Sequence, residues 1–317
     1  MNGFGLGPVD FHVHLPVPWP SAPAGAPPLP AMARELNHAY ALRRRADWRR
    51  EWGFPEPEEG HPPAARQAQR WVAEVEAHGL ECAVLVTGGG NDQLAEAIAP
   101  HRPRLLGMAH HDLARPGALP ELRRAVDELG MVGYKLIAPL TGIAWDHPDL
   151  EPLWDWAEGR RLPVLIHFGW LGTGGGVVHH PLISPLSIFP IAHRHPALPI
   201  IVAHFGCGYF GDLLQLCWSC PEVYIDTSGS NQWVRWLPYP LDLQGLFRKA
   251  YETVGPQRLV FGTDSSWFPR GFAARYLEDQ VEACRQVGMS GADIELVFRG
   301  NALRLLGLTG GGRPGPA

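Results

Sequence analysis

One feature constrains this chain more than any other: a regular alternation of short apolar runs with helical patterns. The runs "DFHVH", "CAVLVTGGG", "LLGMAHH", "MVGYKLI", "PVLIHFG", "PIIVAHFG", "VYIDTSG" and "LVFGTDS" follow one another through the 317 residues. Between them lie patterns with helical spacing, such as "RQAQRWVAEVEAHG", "LEPLWDWAEGRR", "GDLLQLCWSC", "LQGLFRKAYETVG" and "ARYLEDQVEACRQVG". Strands separated by helices run parallel, because each helix carries the chain back to the edge from which the next strand starts. At eight such units a parallel sheet closes on itself, in roughly 250 residues. The expected fold is therefore α/β, a (β/α)8 TIM barrel, as one domain over residues 1–308. Residues 17–63, rich in proline, alanine and arginine, form a long insertion after the first strand, with a helical pattern at "MARELNHAYALRRRADWRR". So long an excursion in a compact domain usually serves function, as a lid or binding loop. The segment "SGADIELVFRGNALRLLGL" reads as a C-terminal helical cap, and residues 309–317 as a disordered tail.

Composition narrows the partners. The net charge is −5 with both signs interspersed, so no basic stripe offers itself to nucleic acid. With no signal-like start and no apolar run of about 18 residues, neither export nor a membrane span is expected, and the location expected is the cytoplasm. Five cysteines fit a reducing compartment better than a disulfide framework. Cys217 and Cys220 form a C-x-x-C, but no second pair completes a zinc site, and the apolar helical context favours packing.

In a barrel of this kind the chemistry sits where the strands end on their C-terminal side. The first strand ends with His12 and His14, the fifth with His167, the sixth with His204 and the eighth with Asp264. Alternation puts Asp10, His12 and His14 on one face of the first strand. Taken singly, each has a bland reading: a polar strand face, a satisfied core histidine, a helix cap. Taken together they converge on the barrel mouth. Imidazoles and a carboxylate are suitable ligands for a first-row divalent ion, and a further histidine is suited to acid and base work near neutral pH.

The motifs "DFHVH", "GYKL", "RRLPVLIHFG", "LPIIVAHFGCG", "VYIDTSG" and "LVFGTDS" make the chain resemble the amidohydrolase superfamily, in the amidohydrolase-related branch that includes aminocarboxymuconate semialdehyde decarboxylase. The resemblance covers about residues 9–301. It implies one divalent metal held by His12, His14, His167 and Asp264, with zinc first in line and manganese, iron or cobalt able to take its place. It further implies that Asp264 contacts the reactive water and that His204 is the catalytic acid or base. Asp10 is expected to support the ligands through a hydrogen bond. Lys135 matches the position that is carboxylated in two-metal members; an ion-paired or substrate-contacting amine is the other reading. D-x-H-x-H also opens the polymerase-and-histidinol-phosphatase phosphoesterases, but these require more ligand residues than the middle strands supply.

Around the mouth, Arg235 is a candidate to pin a substrate carboxylate, or a surface arginine stacked on tryptophan. Trp170 and Trp267, with Trp145 and Trp233, follow strand ends and suit an aromatic pocket. One of His110 and His111 could line it, and the glycine-rich stretch before His179 and His180 reads as a mobile lid or a plain loop. The expected activity is hydrolysis of an amide, ester or lactone of a small cyclic or carboxylated molecule by metal-activated water. The alternative is non-oxidative decarboxylation or hydration of an aromatic or unsaturated acid, which the resembled branch performs with the same ligands. A homodimer is a further expectation, with the arginine-rich insertion available as interface.

Overall fold

The computed structural model describes residues 7–17, 30–60, 62–172 and 177–309. The glycine-rich residues 173–176 and the tail from 310 onward, to which the lid and disorder expectations belong, lie outside the described residues.

All eight expected strands form: β1 (Val9–His14), β2 (Cys82–Thr87), β3 (Leu105–Gly107), β4 (Tyr134–Ile137), β5 (Val164–His167), β6 (Ile200–Val202), β7 (Val223–Asp226) and β8 (Leu259–Val260). They pair in parallel in the orders β1-β2-β3 and β4-β5-β6-β7-β8. Backbone hydrogen bonds join these two sets at both seams. The Ala109 N–H donates to Gly133 O (2.9 Å) and the Lys135 N–H to Ala109 O (2.7 Å); at the other seam the Phe11 N–H donates to Phe261 O (3.0 Å) and the His14 N–H to Ser265 O (2.8 Å). The circle of strands is therefore continuous.

Around the strands run α1 (Ala31–Trp52), α2 (Ala64–Ala77), α3 (Asn91–Ile98), α4 (Ala118–Asp127), α5 (Glu151–Gly159), α6 (Phe189–Arg194), α7 (Phe210–Ser219), α8 (Leu243–Val254) and α9 (Ala274–Val287). The apolar faces of α2 to α9 meet the outer faces of the strands. In α2, for instance, Gln67, Trp71 and Val75 are buried at helical spacing, and the Trp71 indole N–H donates to His14 O (3.1 Å), bracing the end of β1. The cap is α10 (Gly291–Glu295), a π turn and α11 (Asn301–Leu306). Ala302, Leu303, Leu305 and Leu306 of α11 pack with Val9, Phe11, Val84, Leu106, Leu165, Ile201, Tyr224 and Val260, so the C-terminal segment plugs the floor of the barrel.

The alternation expected along β1 is broken. Val9 and Phe11 belong to that inner cluster, yet His12 also faces inward, since a Cβ on Gly262 would lie 2.8 Å from His12 Cβ and 3.1 Å from Asp226 Oδ1. The pairing with β2 shifts register between Asp10 and Val13, which is where the extra residue is absorbed. Asp10 therefore does not share a face with His12, contrary to the pattern read from the sequence.

Helix α1 crosses the rim and buries none of its own residues. It is fastened at its C-terminal end by aromatic contacts of Trp48 with Trp267 (5.6 Å) and of Trp52 with Tyr276 (5.0 Å), and by the Trp48 indole N–H donating to Ser230 Oγ (3.1 Å). All five cysteines are free and buried. Burial pushes the Cys217 thiol up to about 12, as expected of a packing residue and not of a redox pair. Among the described residues no helix is long and apolar enough to cross a membrane.

Candidate metal centre

His12, His14 and Asp264 meet at the mouth, with ligand atoms of all three within 4.8 Å of one another. His14 Nε2 is 3.0 Å and His12 Nε2 3.8 Å from Asp264 Oδ1. Each imidazole has its other nitrogen occupied. His12 Nδ1 donates to Asp226 Oδ2 at 2.6 Å, and His14 Nδ1 is 2.6 Å from Thr87 Oγ1. That arrangement aims both Nε2 lone pairs at the same space and fixes the ring orientations, as metal-ligating histidines require. Burial, followed by the charges of Lys135 and His204, lowers the His12 pKa well below its ordinary value, keeping the ring neutral. At Asp264, burial works to raise the pKa, but His204, the hydrogen bond to His14 and the two first-strand histidines together hold it well below the ordinary carboxylate range. The Asp264 side chain remains 40% exposed, so the cluster opens into the mouth. Two imidazoles oriented by partners and an ionised carboxylate fit a divalent ion of the zinc type.

His167, at the end of β5, stands beside this group and outside its 4.8 Å circle. Its ring is 5.0 Å from that of His204, and its Nε2 is 3.1 Å from Trp170 O. Burial, then His204 and Lys135, keep it neutral as well. His204 stacks on His12 at 5.0 Å, and its Nδ1 is 2.8 Å from Ser228 Oγ. The backbone that presents it is unusual. His204 (φ 58°), Phe205 (φ 48°), Gly206 (φ 80°) and Cys207 (φ 42°) form a left-handed turn, which L-residues disfavour by roughly 1–2 kcal/mol each. Gly169 allows β5 to approach that turn, because a Cβ there would lie 2.2 Å from Cys207 O.

Lys135 points into the barrel with Nζ 3.5 Å from His12 Nε2. No ion pair to it exists among the described residues, and burial lowers its pKa to about 8. Asp10 does support the site, but through the backbone: its carboxylate accepts from Thr263 Oγ1 (2.6 Å), the Thr263 N–H (2.9 Å) and the His12 N–H (3.3 Å). It thus ties β1 to the residue preceding Asp264, and burial raises its pKa to about 7.

The remaining candidates separate. Arg235 is paired with Glu51 of α1 at 2.8 Å, with both side chains largely exposed, so its guanidinium is engaged on the outer surface and the expected carboxylate pin has a protein partner. Trp145 and Trp233 are buried core residues, while Trp170, against Trp236 (5.2 Å), and Trp267 stand at the rim. His110 is structural: its Nε2 accepts from the N–H groups of Gly88 (3.1 Å) and Gly90 (3.0 Å). His111 is held by Ala118 O (3.0 Å).

Two residues escaped the sequence reading. Asp226 was visible in "VYIDTSG" as the last residue of β7, yet its duty depends on barrel closure bringing β7 within one strand of β1. It accepts from His12 Nδ1, the Ser228 N–H (2.8 Å) and Ser228 Oγ (2.8 Å), and burial raises its pKa to about 6. Thr87 ends β2 as part of an apolar run and carries no signal of its own.

With the geometry in place, comparison with known proteins gives a consistent result. No curated protein matches the chain. Among solved structures, an uncharacterised TIM-barrel protein from Bordetella bronchiseptica superposes with a TM-score of 0.64 at 19% identity, over 94% of this chain and 98% of that one. The 5-carboxyvanillate decarboxylase LigW from Sphingomonas paucimobilis gives 0.60 at 16% identity, over 96% and 100%. A probable 2-pyrone-4,6-dicarboxylic acid hydrolase from Acinetobacter baumannii, with citric acid bound, gives 0.58 at 17%, over 95% and 99%. At such identities the likeness is one of fold, and it establishes the TIM barrel. The model of the amidohydrolase family matches residues 9–308, from the first strand to the end of the floor plug. By that match the chain belongs to the amidohydrolases, a family of metal-dependent enzymes.

Proposed function

We propose that this enzyme hydrolyses an amide, ester or lactone bond in a small carboxylated molecule, with one zinc ion as cofactor. The observation that carries the reading is the convergence of His12, kept neutral, and His14, oriented by Thr87, on an Asp264 held ionised. His12, His14 and Asp264 would hold the ion, with His167 as the fourth ligand from β5. When bound, such an ion acidifies a water molecule and polarises a carbonyl.

The chain's own residues supply the rest. Asp264, ionised at neutral pH, accepts the proton of the attacking water. His204 lies over His12 and beside His167, in position to pass a proton to the leaving group. Asp226 and Thr87 keep the ligand nitrogens aimed. Lys135 places a positive charge beside His12 Nε2, where it faces an oxygen of the substrate. Decarboxylation is the second reading. It is favoured by one observation, a guanidinium at the rim, that of Arg270, with no carboxylate ion pair among the described residues, since a carboxylate must be oriented to be lost.

Metal analysis and a product assay test both. One zinc per chain, loss of turnover with a chelator and recovery on adding zinc are expected, with acid released from lactones or amides and no carbon dioxide. Carbon dioxide from aromatic acids without hydrolysis would select the second reading, and turnover indifferent to metal removal would sink both.

A further inference from the structure

Arg270, six residues beyond Asp264 in the loop after β8, is enclosed by aromatic rings. Its Cζ lies 4.3 Å from the centre of Trp267, 4.5 Å from Phe54, 5.4 Å from Tyr276 and 5.7 Å from Trp48. Of its N–H groups, one reaches Thr263 O at a long 3.4 Å, and the buried Nε has no acceptor. No carboxylate lies within ion-pair distance among the described residues. A cation removed from water without a counter-ion is expensive, and so are donors without acceptors. One of the surrounding rings repeats the pattern: the Trp267 indole nitrogen is also buried without a hydrogen-bond partner, while the Tyr276 hydroxyl has Ser230 beside it.

Arg270 reaches the metal centre through the backbone, since the carbonyl it contacts belongs to Thr263, the residue before Asp264. Tyr276, 2% exposed, lines a cavity of about 250 Å³ together with Ser230, Asn231, Trp52 and Gly229. Gly229 packs against the cluster, since a Cβ on that residue would lie 3.3 Å from His204 Nδ1 and 3.9 Å from Asp264 Oδ2. Asp279, on the same wall, is 3.4 Å from Arg275 and is thereby neutralised. The unpartnered nitrogens of Arg270 and Trp267 thus stand in the loop that follows Asp264, outside the lining of that cavity.

We propose that Arg270, with the Tyr276 hydroxyl and the Trp267 indole nitrogen beside it, is the docking point for the carboxylate of the substrate. The proposal rests on the reading that the substrate carries a carboxylate, and it gives to Arg270 the part that the sequence suggested for Arg235. A carboxylate there accepts charge-assisted hydrogen bonds from the guanidinium, and the rings flank the acid.

The test uses zinc-loaded protein and two probes of one shape, benzoate and benzamide, titrated by tryptophan fluorescence. Expected are saturable benzoate binding, a rise in Kd of about ten-fold or more in Arg270→Gln, a smaller rise in Tyr276→Phe, and partial rescue in Arg270→Lys. Benzamide affinity should stay the same in all variants. Benzoate affinity unchanged in Arg270→Gln would overturn the proposal, because the carboxylate would then sit on the metal or elsewhere. Parallel loss of both probes would overturn it too, leaving Arg270 as an aromatic clasp for the insertion, as would the absence of saturable benzoate binding to the unaltered protein. The titration reads no turnover, so failure of the hydrolase reading leaves a positive benzoate result standing, and a negative one leaves hydrolysis untouched.

Discussion

At the floor of the barrel Val9, Phe11, Leu165, Ile201 and Val260 meet Leu303 and Leu306 of α11 in a wholly apolar cluster. At the rim, a few residues further along the same strands, His12, His14, His204, Asp226 and Asp264 crowd together, His204 sits in a left-handed turn, and Arg270 lacks a counter-ion. The floor satisfies every rule of stable packing, while the rim violates several at once. Stability and chemistry are thus separated along the length of each strand, and the rim can hold costly groups because the floor secures the strands that present them.

That division can be broken from either side. The largest effect is expected from Asp264→Asn, which removes the proposed metal ligand and proton acceptor together: turnover should fall by about 10²–10⁴-fold, with zinc content reduced and the thermal midpoint of the metal-free protein little changed. From the other side, Leu165→Ala opens a cavity in the floor cluster. It should lower unfolding free energy by about 2–5 kcal/mol in a denaturant titration, while zinc content per folded chain stays intact. A floor mutation that emptied the metal centre would show the two ends to be coupled.

Smaller changes sharpen the comparison. Asp226→Asn should weaken zinc binding by about 10–100-fold, measured by competition with a chelator, with a near-native circular dichroism spectrum. Thr87→Val, removing only a hydroxyl partner of His14, should act in the same direction by less. The smallest effect belongs to the outer surface, where Arg124 joins Asp92 on α3 (2.7 Å) to Glu121 on α4 (2.9 Å). Hydrogen bonds from Arg124 lower the pKa of both carboxyls. Stabilisation by a depressed carboxyl is present above its unfolded pKa and lost as pH falls through the folded one. Arg124→Gln should therefore cost a little stability at neutral pH, and the difference from the unaltered protein should vanish in acid.

The barrel was legible because each strand is buried on both faces and so reads as an unbroken apolar run, as in "CAVLVT" or "PIIVAHFG". His12, His14 and Asp264 were legible because strand ends and active sites coincide in such a fold. The helices α3 and α6, of eight and six residues, were harder to see, having too few turns to set up a clear period. Asp226 and Thr87 act on partners 214 and 73 residues away, Thr87 on the strand paired with β1 and Asp226 two strands off, and only closure and register bring them there. Arg270 resembles any loop arginine in "SSWFPRG"; its lack of a counter-ion is a property of its surroundings. The break in alternation at β1 leaves no mark in "DFHVH" at all.

That break has a consequence for moving the centre elsewhere. A protein engineer who grafted "DFHVH" onto the first strand of another barrel would transplant the letters without the offset. On a strand of strict period two, Phe11 would turn outward whenever His12 turned inward, and the floor would lose a ring each time the rim gained a ligand. The irregularity between Asp10 and Val13 lets one six-residue strand serve both ends of the barrel. The portable unit is the motif together with its bulge and the Asp10–Thr263 clasp that holds the bulged strand to its neighbour.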